Sequence, residues 1–224
     1  MDGHVVSAVE EEKDLGIYIS NTCTPSKHVA AAAMKANQIL GQMLRAFTYR
    51  DKYHFINLYK QYVRPHLECC VQAWSPWLQQ DIDLLEKVQQ RAVNAVSGLT
   101  GSYADKLSQI KLLSLLDRRL RGDMIQTYKI VHEIDDVNAS DFFTFSNTQH
   151  GHATRQAATV TDDMVVMQSL GLSQQRCNLE LRRNFFTQRV VAPWNALPPT
   201  VHFAPSVDQF KIKYDSVRAE LAAS

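Results

Sequence analysis

KHVAAAAMKANQILGQMLRAF, residues 27–47, sets Val29, Ala33, Ala36, Leu40, Met43 and Phe47 at three- and four-residue intervals. That interval is the period of one helix face, so the spacing predicts an amphipathic helix with these six side chains inward. Lys35, Gln38, Gln42 and Arg45 recur at the same interval on another side and predict a polar, cationic row. Thr24-Pro25-Ser26 breaks whatever precedes and can cap the helix. The alanines allow close approach to a neighbour, and Gly41 costs about 1 kcal/mol relative to Ala in a helix interior. A chain built around such a segment is expected to be mainly α.

Upstream, the charged run Glu10–Lys13 leads into LGIYIS (15–20), whose branched and aromatic residues predict a short strand. Downstream, Phe55, Leu58, Tyr59 and Tyr62 give an apolar stripe to a helix over 51–63. Arg64-Pro65 should end or kink it, because the residue before proline is pushed out of the helical region. Helix can resume over 66–74 and stop again at Ser75-Pro76. A third helix is expected over 81–97, with Ile82, Leu85, Val88, Ala92 and Val96 inward and Gly98 as a left-handed cap. A short helix follows over 103–109, then a long one over 114–133. Ser114 and Asp117 make a capping pattern there, and Leu116, Leu120, Met124, Tyr128 and Val131 the stripe.

Residues 135–175 are acidic, rich in Thr, Asn, Gln and His, and without helical period. They read as a polar loop or partly disordered linker with a short strand at TVTDDMVVM (159–167). CNLELR (177–182) alternates like a strand. Residues 185–197 look helical despite Pro193, and 207–221 form a final amphipathic helix. The expected architecture is therefore mainly α: a helical bundle with a short N-terminal strand, a few short strands and C-terminal helices. Its divisions fall at 1–24, 25–134, 135–175 and 176–224.

The 224 residues are 45% hydrophobic and 21% charged, with 24 Lys+Arg against 23 Asp+Glu, a globular composition rather than a disordered one. A fold of this size buries roughly 70% of its unfolded surface. No apolar run is long enough to predict a membrane span. MDGHVVSAVEEEKD at the N-terminus lacks the basic start and apolar core of a secretory signal. Cys23, Cys69, Cys70 and Cys177 are too scattered for a disulfide scaffold and fit reduced thiols in an intracellular protein, cytoplasmic or nuclear.

Charge is uneven. Leu15 to Leu67 carries seven Lys/Arg and one acid, Asp51; Arg176 to Arg218 carries seven against three. Asp135 to Asp163 between them holds five acids and Arg155 alone. Basic surface is what a polyanion requires. The chemistry of catalysis is sparse by contrast. Asp162-Asp163 lacks the third converging carboxylate that a two-metal site needs. The eight glycines form no phosphate loop, and neither GxSxG nor HExxH occurs. Cys69 beside His66 reads as a thiol near a surface imidazole, and His150 and His152 as loop polarity. No metal and no cofactor is expected.

Several strings stand in a telling order: LGIYIS (15–20), LYKQYVRPHLE (58–68), QAWSPW (72–77), DIDLLEKVQQRAV (81–93), SYADKL (102–107), LSLLDRRLRGDMIQTYKIV (113–131), RRNFFTQRVVAPWNALPPTV (182–201) and PSVDQFKIKYD (205–215). In this order they resemble the C-terminal part of the reverse transcriptase of non-LTR retrotransposons of the jockey and chicken-repeat-like groups. The resemblance runs from about residue 14 to 215. It departs from the usual pattern at Cys69, Gln90, Lys106 and Asp117, and over 135–175 it holds only at Phe142, Phe143, Gly151, His152 and Arg155.

The resemblance implies that 1–24 ends with the last strand of the palm. It makes 25–134 the helical thumb, 176–224 a C-terminal extension, and puts the magnesium-dependent polymerase centre upstream. This chain would then be non-catalytic and hold template–primer RNA/DNA through Lys35, Gln38, Gln42, Arg45, Lys52, Lys60 and Arg64, without reading sequence. Each of these cations is equally a solvated surface charge when taken singly. Arg118, Arg119 and Arg121 form a second cluster that Asp117 and Asp123 could neutralise. Arg182, Arg183 and Arg189 fit either reading, and Trp74, Trp77 and Trp194 read as core anchors. The other expectations are a helical protein-interaction module, self-association included, and an inactive product of a transposon-derived gene.

Overall fold

The structure, a computed structural model, describes residues 9–146 and 170–223. It is mainly helical, as expected, with a single two-stranded antiparallel sheet among the described residues. The chain divides into two compact units, Met1–Leu120 and Arg121–Ser224.

The first unit opens on a hairpin, not a lone strand. β1 (Glu11–Asp14) pairs with β2 (Ile17–Ser20) in the register Glu11↔Ser20 to Asp14↔Ile17. The Leu15-Gly16 pair of LGIYIS is the turn itself, with φ of 46° and 90°. Positive φ at both central positions matches the right-handed twist of the strands, and Gly16 takes it without the steric cost Leu15 meets. The charged run before it, to which the sequence pattern assigns no element, supplies β1.

α1 (Ser26–Ala46) buries Val29, Ala32, Ala33, Ala36, Leu40 and Met43. Phe47 lies just past its end and is largely exposed, so the predicted stripe loses its last member. α1 packs chiefly on two later helices, α5 (Gln79–Asn94) and α3 (Arg64–Glu68), and the small alanines permit that approach. The Ser26 hydroxyl donates to Asp81 at 2.6 Å, pinning the start of α1 to the start of α5. His28 stands between Tyr18 and Trp74. Its Nδ1 accepts the Tyr18 amide, and burial, with Lys13 nearby, lowers its pKa.

The segment expected to end or kink at Arg64-Pro65 is three pieces in series: α2 (His54–Leu58), a π-turn (Tyr59–Val63) and α3 (Arg64–Glu68). Proline in a helix interior removes a donor and crowds the carbonyl four residues back. The π-turn widens the ladder immediately before Pro65, so the helix runs on past it. The inward face becomes Phe55, Ile56, Tyr59, Val63 and Leu67, while Tyr62 is 56% exposed. The break comes later, at Cys69-Cys70, where Cys70 is left-handed (φ 53°) ahead of α4 (Val71–Trp74).

α5 (Gln79–Asn94) places Leu85, Val88, Ala92 and Val93 in the core, with Val96 just beyond; Ile82 is only half-buried. Gly98 is left-handed but lies past the helix end. α6 (Tyr103–Gln109) starts with a capping box between Ser102 and Asp105. Gly101 in front has φ 93°, and a Cβ there would lie 2.8 Å from the Asp105 carboxylate, so only glycine fits. α7 (Leu115–Val131) has the expected Ser114–Asp117 exchange at its start. Its stripe differs: Leu115 is fully buried and Leu116 is 53% exposed.

In the second unit, α8 (Ala139–Phe142) is followed by an isolated antiparallel bridge between Phe145 and Leu172. The strand expected at 177–182 is not formed; α9 (Glu180–Arg183) begins there instead. α10 (Phe186–Arg189), α11 (Val191–Asn195), α12 (Pro199–His202) and α13 (Val207–Ala223) complete the unit. Trp194 is fully enclosed, stacked on His202 at 4.5 Å and near Phe210 at 6.1 Å. Its indole N–H donates to the Leu170 carbonyl. The Asp162-Asp163, His150 and His152 readings and the 159–167 strand lie outside the described residues.

Candidate nucleic-acid interface

α1 contains no acidic residue. At about 100° per residue, Lys35, Gln38, Gln42 and Arg45 fall within an arc of about 80°, centred about 150° from the middle of the buried face. All four are exposed. The helix therefore presents one polar row away from the core, because the same period that buries alanine and leucine turns these residues outward. The Arg45 guanidinium lies back along the helix over Gly41, 3.8 Å from where a Cβ would stand.

The other predicted cations sit differently. Lys52 is on the turn before α2, not on the helix, with its ammonium 5.3 Å from the Tyr53 ring centre. Asp51 caps that turn: its carboxylate accepts the Tyr53 and His54 amides at 2.9 and 3.0 Å. Those bonds hold the Asp51 carboxyl below its ordinary pKa. Lys60 is half-buried in the π-turn. Arg64 is drawn into a cluster. It lies 3.6 Å from Glu68, which also binds Arg118, whose Nη2 donates at 2.9 Å. Burial and the neighbouring Arg118 lower the Arg64 pKa, though Glu68 opposes them. Among the described residues, Lys35, Arg45, Lys52 and Lys60 have no acidic partner within 4.0 Å.

Two of the arginines at 118–121 find acids far away in the sequence. Arg118 goes to Glu68. Arg119 is buried. Arg121 makes a two-point contact with Asp215, at 2.7 and 2.8 Å. Asp123 holds Arg189, again at two points, at 2.8 and 3.0 Å. Arg182 and Arg183 are exposed. Trp74 and Trp194 are core residues, and Trp77 is half-buried.

Sequence reasoning missed Arg50, Lys87 and Arg91, which line one open groove. Lys87 and Arg91 are four apart on α5 and so share a face, a signal legible in the sequence. Arg50 could not be found that way, since the loop geometry alone brings it there. Among the described residues no group of three metal-ligating side chains comes together, and no helix is long and apolar enough to cross a membrane. Compared with family models, curated proteins and solved structures, the chain matches none.

Proposed function

We propose that this chain is a nucleic-acid-gripping segment of a non-LTR retrotransposon reverse transcriptase, its thumb and downstream part, and that it carries no polymerase chemistry of its own. The order of the strings from LGIYIS to PSVDQFKIKYD supports the assignment, and a mainly helical fold agrees with it. The observation that carries the binding reading is the outward row of α1: Lys35, Gln38, Gln42 and Arg45 on one exposed face of a helix without acids. Such a row meets phosphates by charge and amide hydrogen bonding, reads no bases, and so lets a duplex slide.

The test is binding of a primed RNA/DNA hybrid by fluorescence anisotropy across a salt series. With about three phosphates contacted by Lys35, Arg45 and Lys60, affinity should fall at least about 40-fold between roughly 50 and 200 mM salt. Joint substitution Lys35→Glu, Arg45→Glu and Lys60→Glu should weaken binding for every sequence tried. Affinity indifferent to both salt and charge would overturn the reading and favour a protein-interaction module. Primer extension by this chain with magnesium would overturn its non-catalytic part.

A further inference from the structure

The C-terminal half of α1, the loop after it and one face of α5 border a shallow, open groove of about 530 Å³. Its lining holds three cations, Arg50, Lys87 and Arg91, two amides, Gln90 and Asn94, and no carboxylate. Two of the cations are held in place by groups that do not cancel their charge. Arg50 donates through Nε to the Phe47 carbonyl and through Nη2 to the Leu44 carbonyl, both at 3.0 Å. It thus caps the end of α1, and its remaining N–H groups have no protein acceptor among the described residues. Arg91 donates through Nη1 to the Asn37 amide oxygen at 3.1 Å, across to α1. Lys106 adds a fourth cation at the rim by donating to Asn94 at 2.8 Å.

The nearby acids are engaged elsewhere. Asp51 is occupied by the Tyr53 and His54 amides and the His54 ring. Asp83, one turn before Lys87, accepts from Gln79. Glu86 takes the Tyr103 hydroxyl, the Leu115 amide and Gln89. Like charges converging without a counter-charge call for an anion from outside. Arginine suits a tetrahedral oxyanion because its fork of N–H groups can give two parallel bonds. A small-molecule site would enclose most of its ligand. This groove is open along one side, which fits a phosphate carried on an extended chain.

We propose that the groove seats backbone phosphates of a nucleic-acid strand, with Arg50, Lys87 and Arg91 as the donors. The proposal rests on the nucleic-acid reading above and extends it to a second surface, bordered by α1 but distinct from its outward row. Leu44 lines the groove, and Arg45, about 100° further round the helix, belongs to the row.

The test compares the full chain with Lys87→Glu/Arg91→Glu and with the milder Lys87→Gln/Arg91→Gln, each checked for folding by circular dichroism. Arg50 is left intact because it closes α1. The control is Lys211→Glu/Lys213→Glu, an equal charge change in the other unit. Hybrid affinity in anisotropy should fall at least about tenfold in the glutamate variant, and the slope of log affinity against log salt should shrink by about 2, one for each phosphate no longer held. The glutamine variant should show the same slope change with a smaller fall in affinity. A groove variant that binds like the wild type, or no worse than the control, overturns the proposal. If it does so while Lys35→Glu/Arg45→Glu/Lys60→Glu still weakens binding, the groove assignment alone fails. If the wild type shows no salt-dependent binding, both readings fail. Inorganic pyrophosphate and a mononucleotide are titrated in parallel. Displacement of the hybrid only at millimolar-range excess supports a strand-borne phosphate, whereas tight binding of either small anion overturns it in favour of a small-molecule site.

Discussion

Tyr59 donates its hydroxyl to the amide oxygen of Gln89 at 2.9 Å, and both residues are fully enclosed in the core of the first unit. The Gln89 nitrogen donates in turn to the Tyr103 hydroxyl and the Leu113 carbonyl, each at 3.0 Å, and lies 3.3 Å from Glu86. The Tyr103 hydroxyl donates a hydrogen bond to Glu86 at 2.5 Å. A buried glutamine is tolerable only when so completely paired. Desolvation is the first reason that both phenols have pKa values pushed upward.

Replacing Gln89 by Leu should therefore destabilise the first unit by about 1–3 kcal/mol, the range for a buried polar partner left unpaired. The Tyr59 hydroxyl would lose its acceptor. Paired Tyr59→Phe/Gln89→Leu should recover part of the stability, since both ends then go. Urea unfolding followed by circular dichroism measures this; a double variant no better than Gln89→Leu would mean that the altered shape, and not the orphaned hydroxyl, dominates.

The two bidentate arginine pairs of the second unit should differ sharply. Asp123 is 4% exposed and bound at two points to Arg189, so Arg189→Met removes a two-point counter-charge from a buried carboxylate and should cost the more, up to about 3–5 kcal/mol. Asp215 is half-exposed, so Arg121→Met should cost about 0–1 kcal/mol. Denaturant midpoints of the two variants give the comparison directly, and equal costs would refute the burial argument.

Acid should weaken the second unit through His202. Its Nε2 meets the Trp194 carbonyl at 2.9 Å, and its pKa is lowered from 6.5, first by burial and then by His132, against that hydrogen bond. A depressed pKa means that the unfolded chain binds the proton first. Stability is then whole above about pH 6.5 and falls as the solution is acidified through the lowered value. His28 works the same way in the first unit. Thermal midpoints read at steps from neutral to acidic pH should decline, and His202→Asn should flatten the decline even if it lowers the starting stability. An unchanged slope in that variant would remove His202 from the account.

Arg64 and Lys60 should separate in function. Arg64 is engaged with Glu68, whereas Lys60 has no acidic partner within 4.0 Å among the described residues. Lys60→Gln should therefore reduce hybrid affinity more than Arg64→Gln does, while Arg64→Gln should reduce thermal stability more. Anisotropy and melting of the same two variants decide it; the reverse ranking would count against Lys60 as a phosphate contact.

Much of this fold is legible because helical period is a strong signal over long segments. Ser26–Ala46 falls within a residue of where its apolar spacing puts it, and Tyr103–Gln109 matches the short helix expected there. What escapes is whatever depends on one residue's backbone. Leu15 reads as strand because its side chain suits one, but Gly16 beside it makes the pair a turn. Pro65 reads as an end or a kink, and the π-turn that accommodates it leaves no trace in apolar spacing. Leu116 reads as inward in preference to Leu115, a choice that spacing alone cannot make between adjacent leucines. At 177–182 a short alternation imitates a strand that has no partner to pair with among the described residues. Of the interface, the α1 row is visible in the sequence. The groove is not, since Arg50 reaches it through a loop and through bonds to the carbonyls of Leu44 and Phe47.

The wide turn at Tyr59–Val63 has a bearing on how this chain tolerates change in length. Such a turn holds one residue more than an ordinary helical one. Excision of a single outward residue there, Gln61 for instance, lets the turn close to the common form while Phe55 and Leu67 keep their orientation. The same excision from α1 would swing everything beyond it by about 100° and take its buried face out of register. Among the described residues of the first unit, the segment just ahead of Pro65 is thus a helical stretch with built-in slack, where a missing codon is survivable.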